Sequence, residues 1–308
     1  MSLAFVFPGQ GSQSIGMLAD LARNYPVVTQ TFAEASDRLG YDLWAVVQQG
    51  PEDKLNQTAV TQPAMLAAGM ATWRVWQQKG GAKPTLMAGH SLGEYTALVC
   101  AGALGFTDAI QLVAERGRLM QQAVPAGEGA MAAILGLTDE QVIDGCAQAG
   151  HGEVVSAVNF NSPGQVVIAG KKTAVERAVE LMKQAGAKRA LLLPVSVPSH
   201  CSLMEPAAEK LKEQLARIAI APPAIPVINN VDVKVVTSPD AIRDALARQL
   251  YRPVRWVETI QSMASQGVTR VIECGPGKVL AGLNKRIDKA MASTAIYDTA
   301  SVDESLAG

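Results

Sequence analysis

Gly89-His90-Ser91-Leu92-Gly93 matches the pattern G-x-S-x-G. A short apolar run, Thr85 to Gly89, precedes it, and residues from Leu92 to Ala101 carry helical spacing. A serine on a sharp strand-to-helix turn stands clear of its sheet. Free backbone N–H groups at the head of the helix can then hold an oxyanion. Flanking glycines suit a turn too tight for side chains. The chemistry this points to is nucleophilic acyl transfer through a serine ester. With 27 glycines in the chain, chance matches to five residues are easy, so a plain strand–helix turn with an unreactive serine is the competing reading.

A serine nucleophile needs a base. The chain has three histidines, His90, His151 and His200. His90 neighbours the serine, but at such a turn the preceding side chain points away from it. His151 sits between Gly150 and Gly152, as a solvated loop histidine would. His200, in Val197-Pro198-Ser199-His200, is the best candidate, with a structural histidine as the alternative. An α/β-hydrolase orders its triad serine, acid, histidine. Here folded-looking chain continues far beyond the last histidine, so the acid would have to lie in the segment between. The order instead suggests a serine–histidine pair whose imidazole is oriented by something other than a carboxylate, such as a backbone carbonyl. That weaker activation suits a thioester, because a thiolate leaves readily.

The elements that must position these groups follow from periodicity and turn chemistry. Leu3 to Phe7 reads as a buried strand ending at Pro8-Gly9. Helices are expected over Met17 to Leu39 with a break near Pro26, over Gln62 to Gln78 with Pro63 in the first turn, and from an N-cap at Thr107 through Ala123. From Gly129 to Val195 the pattern is β-α-β-β-α-β, with strands at Ala130 to Leu137, Val154 to Phe160, Gln165 to Ala169 and Arg189 to Val195. That is a ferredoxin-like order. Afterwards come helices at Ser202 to Ile218, Pro239 to Leu250, Pro253 to Gln266 and Lys278 to Ala290. Strands are expected at Val227 to Asn229, Val268 to Cys274 and Ala295 to Tyr297, and a loose tail from Ser301. The fold class is α/β: a hydrolase-like parallel-sheet core (1–125 and 196–308) with an inserted ferredoxin-like subdomain (126–195).

Composition narrows the function classes. The chain has 308 residues, 48% hydrophobic and 18% charged, at net charge -1, which leaves no basic field for nucleic acid or an anionic membrane. Its four cysteines, Cys100, Cys146, Cys201 and Cys274, form no C-x-x-C pair, so a disulfide framework or structural zinc is not expected, nor any other metal site. Neither a signal peptide at the start nor a membrane span at Ala64 to Trp73 is expected. A cytoplasmic monomer is the default. Gly9-Gln10-Gly11 fails as a dinucleotide fingerprint because Ser14 occupies its third glycine position, and Gly275-Pro276-Gly277-Lys278 lacks P-loop spacing.

Several longer motifs occur together and in order: Pro8-Gly9-Gln10-Gly11-Ser12-Gln13, Gly89 through Tyr95, Arg116, Asn159-Phe160-Asn161-Ser162-Pro163-Gly164-Gln165 and Pro198-Ser199-His200. Over nearly its whole length the chain resembles the bacterial malonyl-CoA:acyl carrier protein transacylases of type II fatty acid synthesis. The acyltransferase domains of polyketide synthases are more distant relatives. The resemblance implies Ser91 as the acylated nucleophile and His200 as its base, oriented by the main-chain carbonyl of Gln249. It implies Gln10 and the Leu92 N–H at the oxyanion hole, and Arg116 paired with the malonyl carboxylate. A bidentate guanidinium matches a carboxylate, and a malonyl charge entering a dry site would be costly unpaired. A surface arginine paired with Glu115 or Asp108 is the plainer alternative. Asn159 and Asn161 either line the cleft or cap a turn. The substrates implied are malonyl-CoA and an acyl carrier protein, with no separate cofactor. The acidic carrier could meet the cationic pairs Lys188-Arg189 and Lys285-Arg286, unless these are simply solvated. A serine thioesterase and a non-catalytic acyl-binding module remain as rivals.

Overall fold

A computed structural model describes residues 2–195 and 197–308. Met1 and Ser196, the residue at which the large subdomain is expected to resume, lie outside the described residues. The chain opens with β1 (Ser2–Phe7) and five helices: α1 (Ala19–Asn24), α2 (Val27–Leu39), α3 (Leu43–Gln49), α4 (Glu52–Leu55) and α5 (Thr58–Gln78). Then come β2 (Leu86–Gly89), α6 (Gly93–Cys100) and α7 (Phe106–Ala123). The small unit comprises β3 (Gly129–Leu135), α8 (Asp139–Gly150), β4 (Val155–Ser162), β5 (Gln165–Lys171), α9 (Lys172–Gln184) and β6 (Arg189–Leu192). A 3-10 turn at Ser202–Met204 leads into α10 (Glu205–Ala216), β7 (Val227–Ile228), α11 (Pro239–Gln249), α12 (Trp256–Ser265), β8 (Val268–Cys274), α13 (Val279–Ile287), β9 (Ala292–Ile296) and α14 (Thr299–Ala307).

The five strands of the large sheet run β7-β2-β1-β8-β9, and every neighbouring pair is parallel. A parallel sheet needs helices on both faces, and β1 shows the consequence by alternation. Phe5 and Phe7 point into a core built with Trp73, Met65 and Leu66, while Ala4 and Val6 point into a second core with Trp256, Ile260 and Leu280. Phe5 meets the rings of Trp73 and Trp76 edge-on at 5.2 and 5.3 Å. Each buried large side chain contributes about 1.5–3 kcal/mol, so the strand is anchored on both sides.

The small sheet is antiparallel with order β4-β5-β3-β6, the ferredoxin-like arrangement expected from the element order. One face buries Ile134, Val166 and Ile168 against α8 and α9. The other places Met131, Val158 and Val167 with Cys201 of the segment re-entering the large unit. Two backbone bonds tie β4 to the chain before α12: Phe160 N–H to the Val254 carbonyl at 3.0 Å and Val254 N–H to the Val158 carbonyl at 2.8 Å. No helix among the described residues is long and apolar enough to cross a membrane.

Local expectations fail where distant contacts decide. Helix α5 starts at Thr58, so Pro63 lies inside it rather than in its first turn. The Gln121 side chain of α7 takes the Ala59 N–H at 3.1 Å, satisfying a helix-end donor from a distant element. Helix α7 starts one residue before Thr107, with Gly105 at its N-cap. The tail is not loose. Asp298 caps α14 through the Ser301 N–H at 2.8 Å, and Val302 is fully buried. Helices α3 and α4 are too short to show a period, although Asp42 caps α3 at 2.9 Å.

Gly93 approaches the end of β1 so closely that an added Cβ would lie 2.0 Å from the Phe7 carbonyl oxygen. Gly282, inside α13, has nothing within 4 Å of that position. Gly93→Ala is expected to lower stability by about 1–3 kcal/mol through overpacking. Gly282→Ala is expected to raise it by about 0.5–1 kcal/mol through helix propensity. Calorimetric melting of the two variants beside the parent checks both signs.

Candidate active site

Strand β2 ends at Gly89, and α6 begins at Gly93. Between them Ser91 is held at φ +51°, a left-handed conformation rare outside glycine. Its neighbours leave no alternative: a Cβ on Gly89 would fall 1.8 Å from the Gly93 carbonyl carbon. Asn230, just after β7, holds the turn. Its Oδ1 accepts the Ser91 N–H at 2.7 Å, and its Nδ2 donates to the Gly89 carbonyl at 2.6 Å. The Ser91 N–H is therefore spent. The next amide, Leu92, and that of Gln10 take no acceptor among the described residues, and both residues line the cleft.

His200 also has a left-handed backbone, at φ +66°, and its N–H donates to the Leu250 carbonyl at 2.9 Å. Its Nδ1 lies 2.7 Å from the Gln249 carbonyl oxygen, and its Nε2 lies 2.7 Å from Ser91 Oγ. A carbonyl oxygen can only accept, so Nδ1 carries the hydrogen. Burial, with the Arg116 cation nearby, pushes the imidazole pKa down to about 3, so the ring is neutral and Nε2 is bare. The Ser91 hydroxyl then donates to Nε2. This pair can ionise a serine, and its orienting group is a carbonyl rather than an acid. His90 is directed elsewhere, with Nε2 2.8 Å from Asn161 Oδ1, and His151 is an exposed residue ending α8.

Arg116 is 1% exposed. Glu115 binds Arg118 instead, and Asp108 faces Arg38 at 3.8 Å, so the surface-pair alternative fails. The Arg116 guanidinium donates to Gln249 Oε1 at 3.0 Å, approaches Ser91 Oγ at 3.5 Å and lies 5.4 Å over the Tyr95 ring. Its Nε–H has no partner among the described residues. The cation therefore keeps one spare N–H donor, with the buried Glu94 carboxyl close enough to attract it. Asn159 Oδ1 and Gln62 Oε1 are likewise buried without partners and line the same cleft, which measures about 440 Å³. Asn159 thus faces the cleft, whereas Asn161 serves His90. A larger depression of about 830 Å³ around Arg38 and Arg118 holds neither Ser91 nor His200.

The cationic pairs lie outside this cleft. Lys188 and Arg189 are exposed at the start of β6, and Lys285 and Arg286 in the last turn of α13. Sheet register links Arg189 to Arg286 through two intermediaries. Leu135 pairs with both Gln165 and Arg189, and Gln165 accepts a hydrogen bond from Arg286 at 2.9 Å.

An acyl transferase domain model matches residues 4–301. The chain belongs to the acyl transferase family. Among individual members it is 61% identical to the malonyl CoA-acyl carrier protein transacylase of Salmonella typhimurium, over 98% of each chain. It is 64% identical to that of Haemophilus influenzae, over 97% of this chain and 96% of the relative. A malonyl-transacylase solved in complex with a type II PKS acyl-carrier protein superposes at TM-score 0.99, with 62% identity over 100% of this chain and 99% of that one. An acyl carrier protein S-malonyltransferase from Vibrio cholerae gives 0.96 at 65% identity over 99% of each.

Sequence reasoning missed three members of this acyl transferase site: Glu94, Asn230 and the side-chain amide of Gln249. Glu94 carries an acid into an apolar helix, which is a signal worth reading. Asn230 gives none beyond its place after a strand. Burial pushes the Glu94 carboxyl up to about 7 against the pull of hydrogen bonds from Asn230 and Gln249.

A free histidine titrates near about 6.5. Nitrogen NMR of His200 should instead show a neutral ring protonated at Nδ1 from pH 8 down to about pH 5. Protonating it costs folding free energy, so its contribution to stability is present above the unfolded pKa and is lost as pH falls towards the folded one. A ring that titrates at the free value would contradict the buried, carbonyl-oriented geometry.

Proposed function

We propose that this chain transfers a malonyl group from coenzyme A to the pantetheine thiol of an acyl carrier protein in fatty acid synthesis, through an ester on Ser91. The observation that carries this is the buried Arg116 guanidinium, with a spare Nε–H donor, beside the Ser91–His200 pair, which suits an acyl group that ends in a carboxylate. His200 takes the Ser91 proton as the oxygen attacks the thioester carbon. The Leu92 and Gln10 amides hold the resulting oxyanion, worth about 3–4 kcal/mol per donor in comparable sites. The C–S bond breaks, and His200 passes its proton to the departing thiolate. The carrier thiol then enters and gives its proton to His200. Its sulfur attacks the ester, and Ser91 regains its hydrogen. Gln249 orients the imidazole throughout, and Asn159 offers an acceptor or donor to the acyl group. The thioester supplies the activated carbonyl, so the cycle calls on no group beyond chain and substrates.

We take residues 126–195 as a small subdomain beside the core formed by 1–125 and 196–308, with the acyl group in the cleft that both line. We take the chain to work as a cytoplasmic monomer. Its described cysteines are all unpaired, as in a reducing compartment.

Protein mixed with malonyl-CoA should gain one malonyl mass, and Ser91→Ala none. Arg116→Ala should slow malonyl loading by about 10- to 100-fold and acetyl loading far less, as loss of a charged hydrogen bond predicts. A retained adduct on the alanine variant would end the ester scheme, and equal losses would make the arginine structural. Release of malonate without a carrier would favour a thioesterase.

The family resemblance implies an acidic carrier, which the cationic pairs at the start of β6 and in the last turn of α13 would suit. Reversing Lys188 and Arg189, or Lys285 and Arg286, to glutamate should slow transfer to the carrier at low salt, with the difference shrinking as salt screens it. Unchanged rates at low salt would remove these residues from the interface.

A further inference from the structure

Glu94 is 2% exposed and does not line the cleft, so it touches no substrate. One of its oxygens, Oε2, accepts two hydrogen bonds: the Gln249 Nε2–H at 2.7 Å and the Asn230 N–H at 2.9 Å. These two partners between them hold the remaining site. Asn230 grips Ser91 and Gly89. Gln249 does three things. Its main-chain carbonyl accepts from His200 Nδ1, its Nε2 donates also to the Ser91 carbonyl at 3.0 Å, and its Oε1 accepts from Arg116.

An amide side chain has two orientations of nearly equal shape. With an acceptor at position 94 and the Ser91 carbonyl beside it, the Gln249 NH2 group must face these two oxygens. Its Oε1 is then left for the arginine. Turned over, the amide would set N–H against the Arg116 N–H and oxygen against oxygen on the other side. We propose that Glu94 is a positioning residue that sets the nucleophile turn, the His200 acceptor and the Arg116 clamp together by fixing the Gln249 amide and the Asn230 backbone. Second-layer partners of this kind typically matter by about 10- to 100-fold where they orient a reacting group.

The role depends on reach rather than charge. Glutamine keeps the length and can place its Oε1 where Oε2 sits. Aspartate keeps the carboxyl group but is one methylene short of both donors. The inference rests on the malonyl-transfer reading, so the parent protein is loaded with malonyl-CoA in parallel. If the parent gains no malonyl mass, that reading fails, and the Glu94 result is judged by the spectroscopic arm alone. The experiment measures single-turnover loading of malonyl and acetyl at saturating coenzyme A thioester in Glu94→Gln and Glu94→Asp, together with the proton signal of the His200 Nδ1–H. Glu94→Gln should load malonyl within about threefold of the parent. Glu94→Asp should fall on the order of tenfold or more, lose malonyl-over-acetyl preference and shift the Nδ1–H signal. A melting curve confirms that each variant is folded. Aspartate matching or exceeding glutamine, or an unmoved Nδ1–H signal in the aspartate variant, would overturn the proposal and leave Glu94 as a buried carboxyl only.

Discussion

The hydrogen bond from Ser91 to His200 spans 109 residues of chain, and it exists only because two strained backbone positions meet. Both residues sit at positive φ without being glycine. Each conformation is unfavourable alone, and each is held by neighbours on more than one side: Asn230 and two crowded glycines for the serine, the Leu250 and Gln249 carbonyls for the histidine. Strain of this kind, of order 1–3 kcal/mol per residue, persists only when the surroundings over-determine it. The parallel sheet supplies that rigidity. Its central strand β1 is anchored in apolar cores on both faces, and the serine turn packs directly on the end of that strand.

Electrostatics completes what geometry begins. The site holds a cation, a depressed histidine and a carboxyl raised to about 7 within one hydrogen-bonded cluster. The dominant cause is the same for both shifted groups: burial disfavours whichever form is charged. Arg116 stays charged regardless, because a guanidinium does not give up its proton in proteins. The result is an interior poised with positive charge and a neutral base. An entering carboxylate would balance the first, and a carbonyl-oriented imidazole suffices for a leaving group as good as a thiolate. An acidic orienter, as in a hydrolase triad, would add negative charge where the substrate already brings one.

Much of this architecture was readable from residue order. The strand–glycine–serine–glycine–helix turn was legible because its requirement is local: the turn allows no side chain on either flank. The β-α-β-β-α-β order was legible because hydrophobic period and turn residues change together at each boundary. The expectation that something other than an acid orients His200 came from chain order alone. Legibility ended where partners are remote. Pro63 reads as a first-turn proline because the tertiary bond from Gln121 to Ala59 leaves no trace nearby. The C-terminal helix reads as a loose tail because its stability comes from burying Val302 and from Asp20 accepting the Thr299 N–H at 2.8 Å.

By itself the sequence determined which groups were available for chemistry and which elements would carry them, because side-chain reactivity, glycine requirements and hydrophobic period are properties of short stretches. It did not determine which nitrogen of His200 bears hydrogen, which acceptors surround Arg116, or that Glu94, Asn230 and Gln249 converge on one oxygen. Those were decided by tertiary structure. A hydrogen bond depends on distance and direction in space, and folding brings polar atoms of residues 230 and 249 within 3 Å of one oxygen of Glu94 without any pattern linking them along the chain.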